Sequence, residues 1–426
     1  MSNEALDAAL AEYEAVGARY VAALEEKGLV FAEEGAGERR RAELRAQLAA
    51  RGVAVRNAGA SLSAGHLSPA CVECTGNRGS ETFSTTFKCH RDCYFCFNHN
   101  QPDYEKFFRE GCPWEEGVDR AAAENGALAC VGLTGGEPLL DLENALRFLG
   151  RAGKLWPGAH KRLYTSGDLL TVEAAARLRD AGLDEIRFSV KDDDAPEQQE
   201  RVIAAMRLAK EFIPSVMVEM PVIPGARTHL QQLFRQFEDV GIDGINLLEF
   251  CFPFCNWDEF ARRGLTLKNP PFEVMYDYGY SGGLAVAGSE ELALELMLWA
   301  LGEGLGFGMH YCSLENKHRS EMRQKNERAA HAHPCVAFDE GDFFLKTAKA
   351  FGPDVEPVRA ALEAEGCTDF MEDAEEGSLA FPPRYLETVR SVRRPDGEPV
   401  QLQRCFLVYE TGEDGGYLID VALRPA

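Results

Sequence analysis

The chain has 426 residues, 45% of them hydrophobic and 27% charged, the composition of an ordinary globular protein with two or three structural units. Its 45 Lys and Arg stand against 69 Asp and Glu, a formal net charge of -24. So acidic a surface excludes nonspecific binding to nucleic acid or to an anionic membrane.

Residues 1–15 carry acidic side chains and no basic-then-apolar pattern, so no signal peptide is expected and the cytoplasm is the expected compartment. The most apolar late segment, 292–301, is interrupted by Glu295 and is too short to span a bilayer. Leu6, Leu10, Tyr13, Val16, Tyr20 and Leu24 recur at steps of three and four, the apolar face of an amphipathic helix that Gly28 ends. A second, shorter helix is expected over 39–50, stopping near Gly52. Together they make residues 1–60 a helical segment with a covering or docking role.

From Phe83 onward strand and helix patterns alternate. Strands are expected at 82–87, 127–133, 162–165, 185–190, 216–222 and 245–250. Ile186, Phe188 and Val190 alternate, as do Val216, Val218, Met220 and Val222. Helical stretches fall at 142–149, 172–178, 202–213 and 230–240. After a longer first interval the strand ends recur at roughly thirty residues, the size of one βαβ unit. The pattern predicts an α/β fold: a parallel sheet curled into a partial (β/α)6 TIM-like barrel over 61–265. Ligands of such a barrel bind at the carboxyl ends of its strands.

Each of those ends carries something polar or small. After the first comes Lys88-Cys-His-Arg-Asp-Cys-Tyr-Phe-Cys-Phe-Asn98, which places Cys89, Cys93 and Cys96 in a C-x3-C-x2-C spacing. Three thiolates in one short loop can face a common centre, and soft sulfur ligands select iron–sulfur clusters, zinc or copper. A cubane cluster held by three protein thiolates leaves one iron open to a ligand, whereas a structural metal site is closed by four. A zinc knuckle with His99 or His90 as the fourth ligand is the competing reading. A disulfide framework fits poorly with thirteen cysteines, an odd number.

After the second strand stands Thr134-Gly135-Gly136-Glu137-Pro138, whose glycines let backbone approach a ligand closely or simply make a tight turn. Then follow Ser166-Gly167-Asp168, Ser189 with Lys191 and Asp192, Glu219 with Pro224-Gly225, and Glu249.

Other cysteines lie outside this series. Cys71 and Cys74 form a C-x2-C before the first strand, Cys251 and Cys255 follow the sixth, and Cys312 and Cys335 sit in His-Tyr-Cys-Ser and His-Ala-His-Pro-Cys. A C-x2-C pair is half of a four-thiolate site, so Cys71 and Cys74 with two others, Cys312 and Cys335 foremost, are candidates for a second cluster or metal ion. Otherwise they are buried thiols acting as small apolar groups. Residues 266–345 extend the barrel. A small α+β unit is expected over 346–426, where a helix at 358–365 precedes two alternating runs, Cys405, Leu407, Tyr409 and Tyr417, Ile419, Val421, Leu423, that read as a β-hairpin.

The cysteine spacing, with Phe95 directly before the third cysteine, and the Gly-Gly-Glu-Pro run after the next strand together resemble the signature of the radical S-adenosylmethionine (radical SAM) superfamily. The resemblance implies a [4Fe–4S] cluster on Cys89, Cys93 and Cys96, with SAM chelating the fourth iron. It implies SAM contacts from Phe95, Gly135, Gly136, Glu137, Ser166, Ser189, Lys191 and Asp192. It also implies reductive cleavage of SAM to a 5′-deoxyadenosyl radical that takes hydrogen from a substrate, and an electron donor such as flavodoxin or ferredoxin. The fate of the substrate stays open: modification of a peptide or protein, or rearrangement or methylation of a small molecule. The early C-x2-C and late His-Tyr-Cys-Ser are similar to proteins related to pyruvate formate-lyase activating enzyme. They are also similar in outline to radical SAM methylases of methyl-coenzyme M reductase. A methyltransferase, with or without cobalamin, is therefore an alternative, although no Asp-x-His-x-x-Gly is present. A non-catalytic iron–sulfur binding or redox-relay protein is another.

Overall fold

One side of each strand must meet helices and the other must face inward, so alternation along the strands decides where the core lies. The computed structural model describes residues 3–74, 79–191, 194–272, 274, 283–331, 333–412 and 415–426. The chain forms two compact units, neither continuous in sequence: Val30–Asn269 with Gly282–Asn316, and Met1–Leu29 with Pro270–Ser281 and Lys317–Ala426.

The larger unit contains β1 (Ala54–Arg56), β2 (Ser61–Ala64), β3 (Ser80–Ser84), β4 (Cys130–Thr134), β5 (His160–Thr165), β6 (Glu185–Ser189), β7 (Ser215–Val222), β8 (Gly244–Glu249), β9 (Cys251–Phe252), β10 (Leu284–Ala285) and β11 (Gly308–Cys312). Nine of these make one sheet in the order β1-β2-β11-β8-β7-β6-β5-β4-β3. The run from β3 to β8 and on to β11 is parallel, while β2 lies antiparallel to β11 and β1 to β2. All six expected strands form, as a partial TIM-type barrel. The additions are β11 and the β1–β2 hairpin, the latter inside and just after a segment expected to be helical. Their short runs, Ala-Val-Arg and Ser-Leu-Ser-Ala, carry no alternating apolar signal.

Ile186, Phe188, Val216, Val218, Met220 and Val222 are buried in one core with Leu178, Ile203 and Phe234 of the surrounding helices. Each such side chain contributes roughly 1.5–3 kcal/mol on burial. Local signals set the helix ends. Asp141 caps Leu142–Leu155 by accepting from Asn144 N at 3.1 Å, and Thr171 caps Val172–Asp180 through Ala174 N at 3.1 Å. Gly241, at φ 72°, ends Arg227–Val240.

The inward faces are polar. Arg187 pairs with Glu185 and Glu219 and donates to Ser68 Oγ at 2.8 Å. Asn246 Nδ2 donates to Glu219 Oε1 at 2.7 Å, and Asn246 Oδ1 lies 3.0 Å from His310 Nδ1. His310 Nε2 lies 2.8 Å from Ser61 Oγ, so the ring is a neutral imidazole that donates through Nδ1 and accepts through Nε2. Burial first, then Arg187 and Arg56, pushes His310 down to about 3. Burial opposes ionisation of Glu185, but Arg187 and hydrogen bonds from His160 and Ser68 outweigh it and bring the carboxyl down to about 2. Charges this deep survive only when paired and hydrogen-bonded.

The smaller unit is built on β12 (Ala337–Phe338), β13 (Leu345–Phe351), β14 (Met371–Asp373), β15 (Ser378–Phe381), β16 (Leu402–Gly412) and β17 (Gly415–Pro425). These are antiparallel in the order β14-β15-β13-β16-β17, with β12 on β13, and β16–β17 is the expected hairpin. The helix Glu4–Glu25 belongs to this unit. Asn3 caps it by accepting from Leu6 N at 3.2 Å and donates to Phe351 O at 3.1 Å and Asp354 Oδ2 at 2.8 Å. Leu6 and Ala9 bury against Phe351. An amphipathic stripe requires such a surface, and the C-terminal sheet supplies it. No helix among the described residues is long and apolar enough to cross a membrane.

The buried histidine has a measurable consequence. His310 binds a proton less readily folded than unfolded, so stability is full above the ordinary 6.5 and is lost as pH falls toward 3. His318, held down to about 4 by burial and by Arg319 and Lys325, shares that window. Urea unfolding of the apoprotein should give a midpoint that declines between pH 6.5 and 5. His310→Gln should reduce that slope by roughly half, His318 retaining the rest. An unchanged slope in the variant would contradict the neutral, buried assignment.

Candidate functional site

The site begins where β3 and β4 stop being strands but not neighbours. Gly136 N donates to Thr86 O at 2.7 Å and Glu137 N to Lys88 O at 2.8 Å, carrying the parallel ladder past Ser84 and Thr134 into both loops. That approach requires glycine. A Cβ on Gly135, which has φ 123°, would stand 2.2 Å from Thr86 O, and one on Gly136 would stand 2.1 Å from Lys88 O. Asn98 Nδ2 ties the far end of the cysteine loop back to Gly135 O at 2.7 Å.

Glu137 is 1% exposed. Its Oε1 accepts from Thr165 Oγ1 at 2.8 Å and Leu139 N at 3.0 Å, and its Oε2 from Ser166 N at 2.7 Å. Ser166 Oγ bridges two carboxylates, 2.6 Å from Glu137 Oε2 and 2.7 Å from Asp168 Oδ1. Asp168 meets the cysteine loop through His90 Nε2 at 3.0 Å and Arg91 at 3.3 Å. Arg91 also pairs with Asp194 at 3.1 Å. Burial raises the Asp168 pKa, but Ser166, His90 and Arg91 outweigh it and hold the carboxyl below its ordinary value. The ends of β3, β4 and β5, with the loop after β6, are thus fastened by hydrogen bonds and ion pairs that run through the cysteine loop.

A cavity of about 650 Å³ opens at these strand ends. Its wall includes Cys89, Cys93 and Cys96, Phe95, Gly135, Gly136 and Glu137, then Ser166, Ser189 and Lys191. Every expected cluster and SAM residue lines it except Asp192, which lies outside the described residues. Tyr164, Glu219 and Leu248 line it as well, and the sequence had not marked Tyr164 or Leu248. Glu219 had been noted only as a polar strand-end residue. It anchors the wall through Arg187 and Asn246, partners supplied by neighbouring strands.

Burial raises all three thiols, Cys93 to about 11. The backbone N–H of Arg91 lowers Cys89, those of Asn98 and His99 lower Cys96, and Lys191 lowers all three. Aromatic packing fixes the loop. Phe95 meets Phe250 edge-on at 5.3 Å, Tyr94 meets Phe260 at 5.1 Å, and Arg263 covers the Tyr94 ring at 4.2 Å. Asn256 Nδ2 donates to Tyr94 O at 3.2 Å, which brings neighbouring Cys255 into the electrostatic reach of Cys96.

The donor set fits a [4Fe–4S] cluster. Three thiols share one cavity wall with Gly135 and Gly136, and backbone N–H groups are directed at two of the sulfurs. A cubane takes one thiolate per iron, so its ligands are spread round it rather than drawn to one point. No three or more His, Cys, Asp or Glu side chains among the described residues converge as a single ion requires. His90 is engaged with Asp168 and His99 packs on Tyr104 at 4.8 Å.

Among the described residues of the larger unit, Cys71, Cys74 and Cys312 form no metal-holding group with one another. Cys71 lies in the barrel interior, accepting from Asn246 Nδ2 at 3.4 Å and Arg187 Nη2 at 3.5 Å, while Cys74 is exposed. Cys312 ends β11 and accepts from Asn316 Nδ2 at 3.3 Å. Cys335 belongs to the smaller unit, in an apolar cluster with Cys405 and Leu407 and 3.0 Å from His333 Nδ1. None of the thirteen cysteines is in a disulfide.

Comparison with known proteins agrees with this geometry. Residues 83–229 match the family model of the radical SAM superfamily. A Methanocaldococcus jannaschii protein named as a glycyl-radical enzyme activating enzyme is 26% identical over 292 residues, 65% of this chain and 72% of that protein. A Metallosphaera sedula protein named as a GTP 3′,8-cyclase is 30% identical over 177 residues, 38% of this chain and 53% of that one. The crystal structure of Streptococcus suis SuiB bound to S-adenosylmethionine aligns with a TM-score of 0.40 at 14% identity, over 62% of this chain and 55% of SuiB. The chain thus spans little more than half of the last two. Residues 83–229 are therefore a radical SAM domain, the domain of a superfamily of enzymes that bind a [4Fe–4S] cluster and S-adenosylmethionine.

Proposed function

We propose that this enzyme holds its cluster on Cys89, Cys93 and Cys96, binds SAM across Gly135, Gly136 and Glu137, and removes a hydrogen atom from a glycine Cα of a partner protein. The observation that carries the reading is one cavity walled by all three thiols and the glycine pair, the two motifs joined by backbone hydrogen bonds. The glycyl-radical name of the relative from Methanocaldococcus jannaschii supports the substrate class.

The cluster, when bound, supplies one electron that splits SAM into methionine and a 5′-deoxyadenosyl radical. The chain's own residues orient and enclose. Gly135 and Gly136 let the glycine loop close onto the cysteine loop at Thr86 and Lys88, so that both line one cavity, and Glu137, held by Thr165 and Ser166, is the carboxylate assigned to the ammonium. Ser166 and Ser189 offer hydroxyls to the rest of SAM. Phe87, Phe95 and Tyr104 give an apolar wall that excludes water from a radical. A glycine Cα–H is weaker than the C–H bond of 5′-deoxyadenosine, because a glycyl radical is delocalised over both adjoining amides. Transfer therefore runs downhill. A low-potential carrier such as flavodoxin or ferredoxin provides the electron, in a reducing compartment such as the cytoplasm.

Two measurements test this. Anaerobic reconstitution with iron and sulfide, followed by reduction with SAM, should yield 5′-deoxyadenosine, and Cys93→Ala should abolish it together with the cluster absorbance. S-adenosylhomocysteine as the main product would instead identify a methyltransferase, and a loaded, reducible cluster whose EPR spectrum ignores SAM would identify a relay protein. In Gly136→Ala the added methyl must displace the Lys88 carbonyl, and misplacement of that size costs on the order of 100-fold in SAM cleavage. Gly150→Ala, in open space on the helix Leu142–Leu155, should leave cleavage unchanged. Equal rates for the two variants would contradict the role given to the glycine pair.

A further inference from the structure

Two residues of β5 carry chemistry that the cluster and SAM assignments do not use. Arg162 and Tyr164 stand two apart on one strand, so both point to the barrel interior. Arg162 is 5% exposed, and its partners are neutral oxygens. Its Nε donates to the Tyr164 hydroxyl oxygen at 3.0 Å, Nη1 to Ser80 Oγ at 3.3 Å and Nη2 to Thr82 Oγ1 at 2.9 Å. Among the described residues no carboxylate pairs with it. The neighbouring strand leaves it room, because a Cβ on Gly132 would stand 3.1 Å from the guanidinium carbon. Tyr164 is half-buried and lines the cavity with Glu219 and Leu248. Arg187 lies over its ring, 5.4 Å from the centroid.

Hydrogen-bond accounting shows what this floor lacks. The Tyr164 oxygen accepts from Arg162, and among the described residues nothing accepts the phenol's own hydrogen. A hydroxyl whose oxygen takes a hydrogen bond from a cation is polarised and donates more strongly. Enclosed without an acceptor, such a donor costs free energy, so the closed site gains from a ligand that supplies one. The charges of Arg162 and Arg187 are matched by Glu185 and Glu219, both paired with Arg187. A strong donor on a floor of no net charge suits a neutral carbonyl better than an anion. Resting on the glycine Cα reading above, we propose that Tyr164 is a specificity-determining residue whose hydroxyl, backed by Arg162, donates to an amide carbonyl oxygen adjoining the glycine. Amide carbonyls flank every internal glycine of a polypeptide, and holding one of them orients the Cα between them. Tyr164 makes and breaks no covalent bond.

The test uses anaerobically reconstituted, reduced full-length protein with SAM and one probe, the N-acetylated, C-terminally amidated tripeptide of glycine, deuterated at its central Cα. Deuterium in 5′-deoxyadenosine reports transfer. The wild type should transfer it, and Tyr164→Phe should lower kcat/KM for the peptide about tenfold, chiefly through KM. Iron content and the SAM-induced change in the EPR spectrum should be retained in the variant, as a substrate contact requires and a merely structural one does not. Equal kcat/KM in wild type and variant overturns the inference and leaves the glycine reading standing. Loss of the SAM-induced change makes Tyr164 a SAM contact and overturns it as well. A wild type that cleaves SAM but transfers no deuterium removes the glycine reading, and this inference with it.

Discussion

Two backbone hydrogen bonds, Gly136 N to Thr86 O and Glu137 N to Lys88 O, carry most of the consequences of this structure. They extend a parallel ladder beyond the strands, into loops that elsewhere in such folds are free to diverge. Because the start of the cysteine loop and the glycine loop are paired as strands are paired, sheet geometry sets where both leave the sheet, and side-chain contacts then hold the cysteine loop. The cluster ligands and cofactor cradle proposed for these loops meet only if both loops leave the sheet in register. The absence of Cβ atoms at 135 and 136 is what permits that register.

Everything else near the cavity reinforces this frame. Glu137 converts the end of the glycine loop into an anchor for β5, Ser166 passes the connection to Asp168, and His90 and Arg91 return it to the cysteine loop. The circuit closes within the chain and holds the cavity wall in one arrangement. Burial keeps the bare thiols protonated, Cys93 up to about 11. Metal uptake must therefore displace protons, and the affinity of the loop for iron rises with pH. Below the cavity, Arg187 balances Glu185 and Glu219 in a polar barrel interior where an apolar filling would have left Glu219 unheld.

Much of this was legible in the sequence, for identifiable reasons. The six central strands announced themselves because their outward faces must be apolar on alternate residues, as at Ile186 and Phe188. The cysteine and glycine motifs were legible because their chemistry demands particular residues at fixed local spacing. What could not be read comes from long-range pairing. Arg187 finds Glu219 32 residues later, and Asn246 finds His310 64 residues later, and no local pattern records either. The hairpin Ala54–Ala64 is too short and too rich in Ala and Ser to show alternation. The stripe of the first helix is buried at Leu6 and Leu24 and half-buried between them, and no local pattern identifies its partner, the sheet around Phe351. Cys71 and Cys74 illustrate the limit of half a motif: spacing two thiols does not say which way they point, and Cys71 turns into the barrel toward Arg187 and Asn246.

The central claim is that three thiolates hold a four-iron cluster whose remaining iron is open to SAM. Mössbauer spectroscopy of protein reconstituted with iron-57, with and without SAM, tests it most directly. The account predicts a four-iron signal in which one iron of the four changes its isomer shift and quadrupole splitting when SAM is added, the other three staying as they were. Four irons all unmoved by SAM, or a site that retains zinc and takes up no iron, would contradict it.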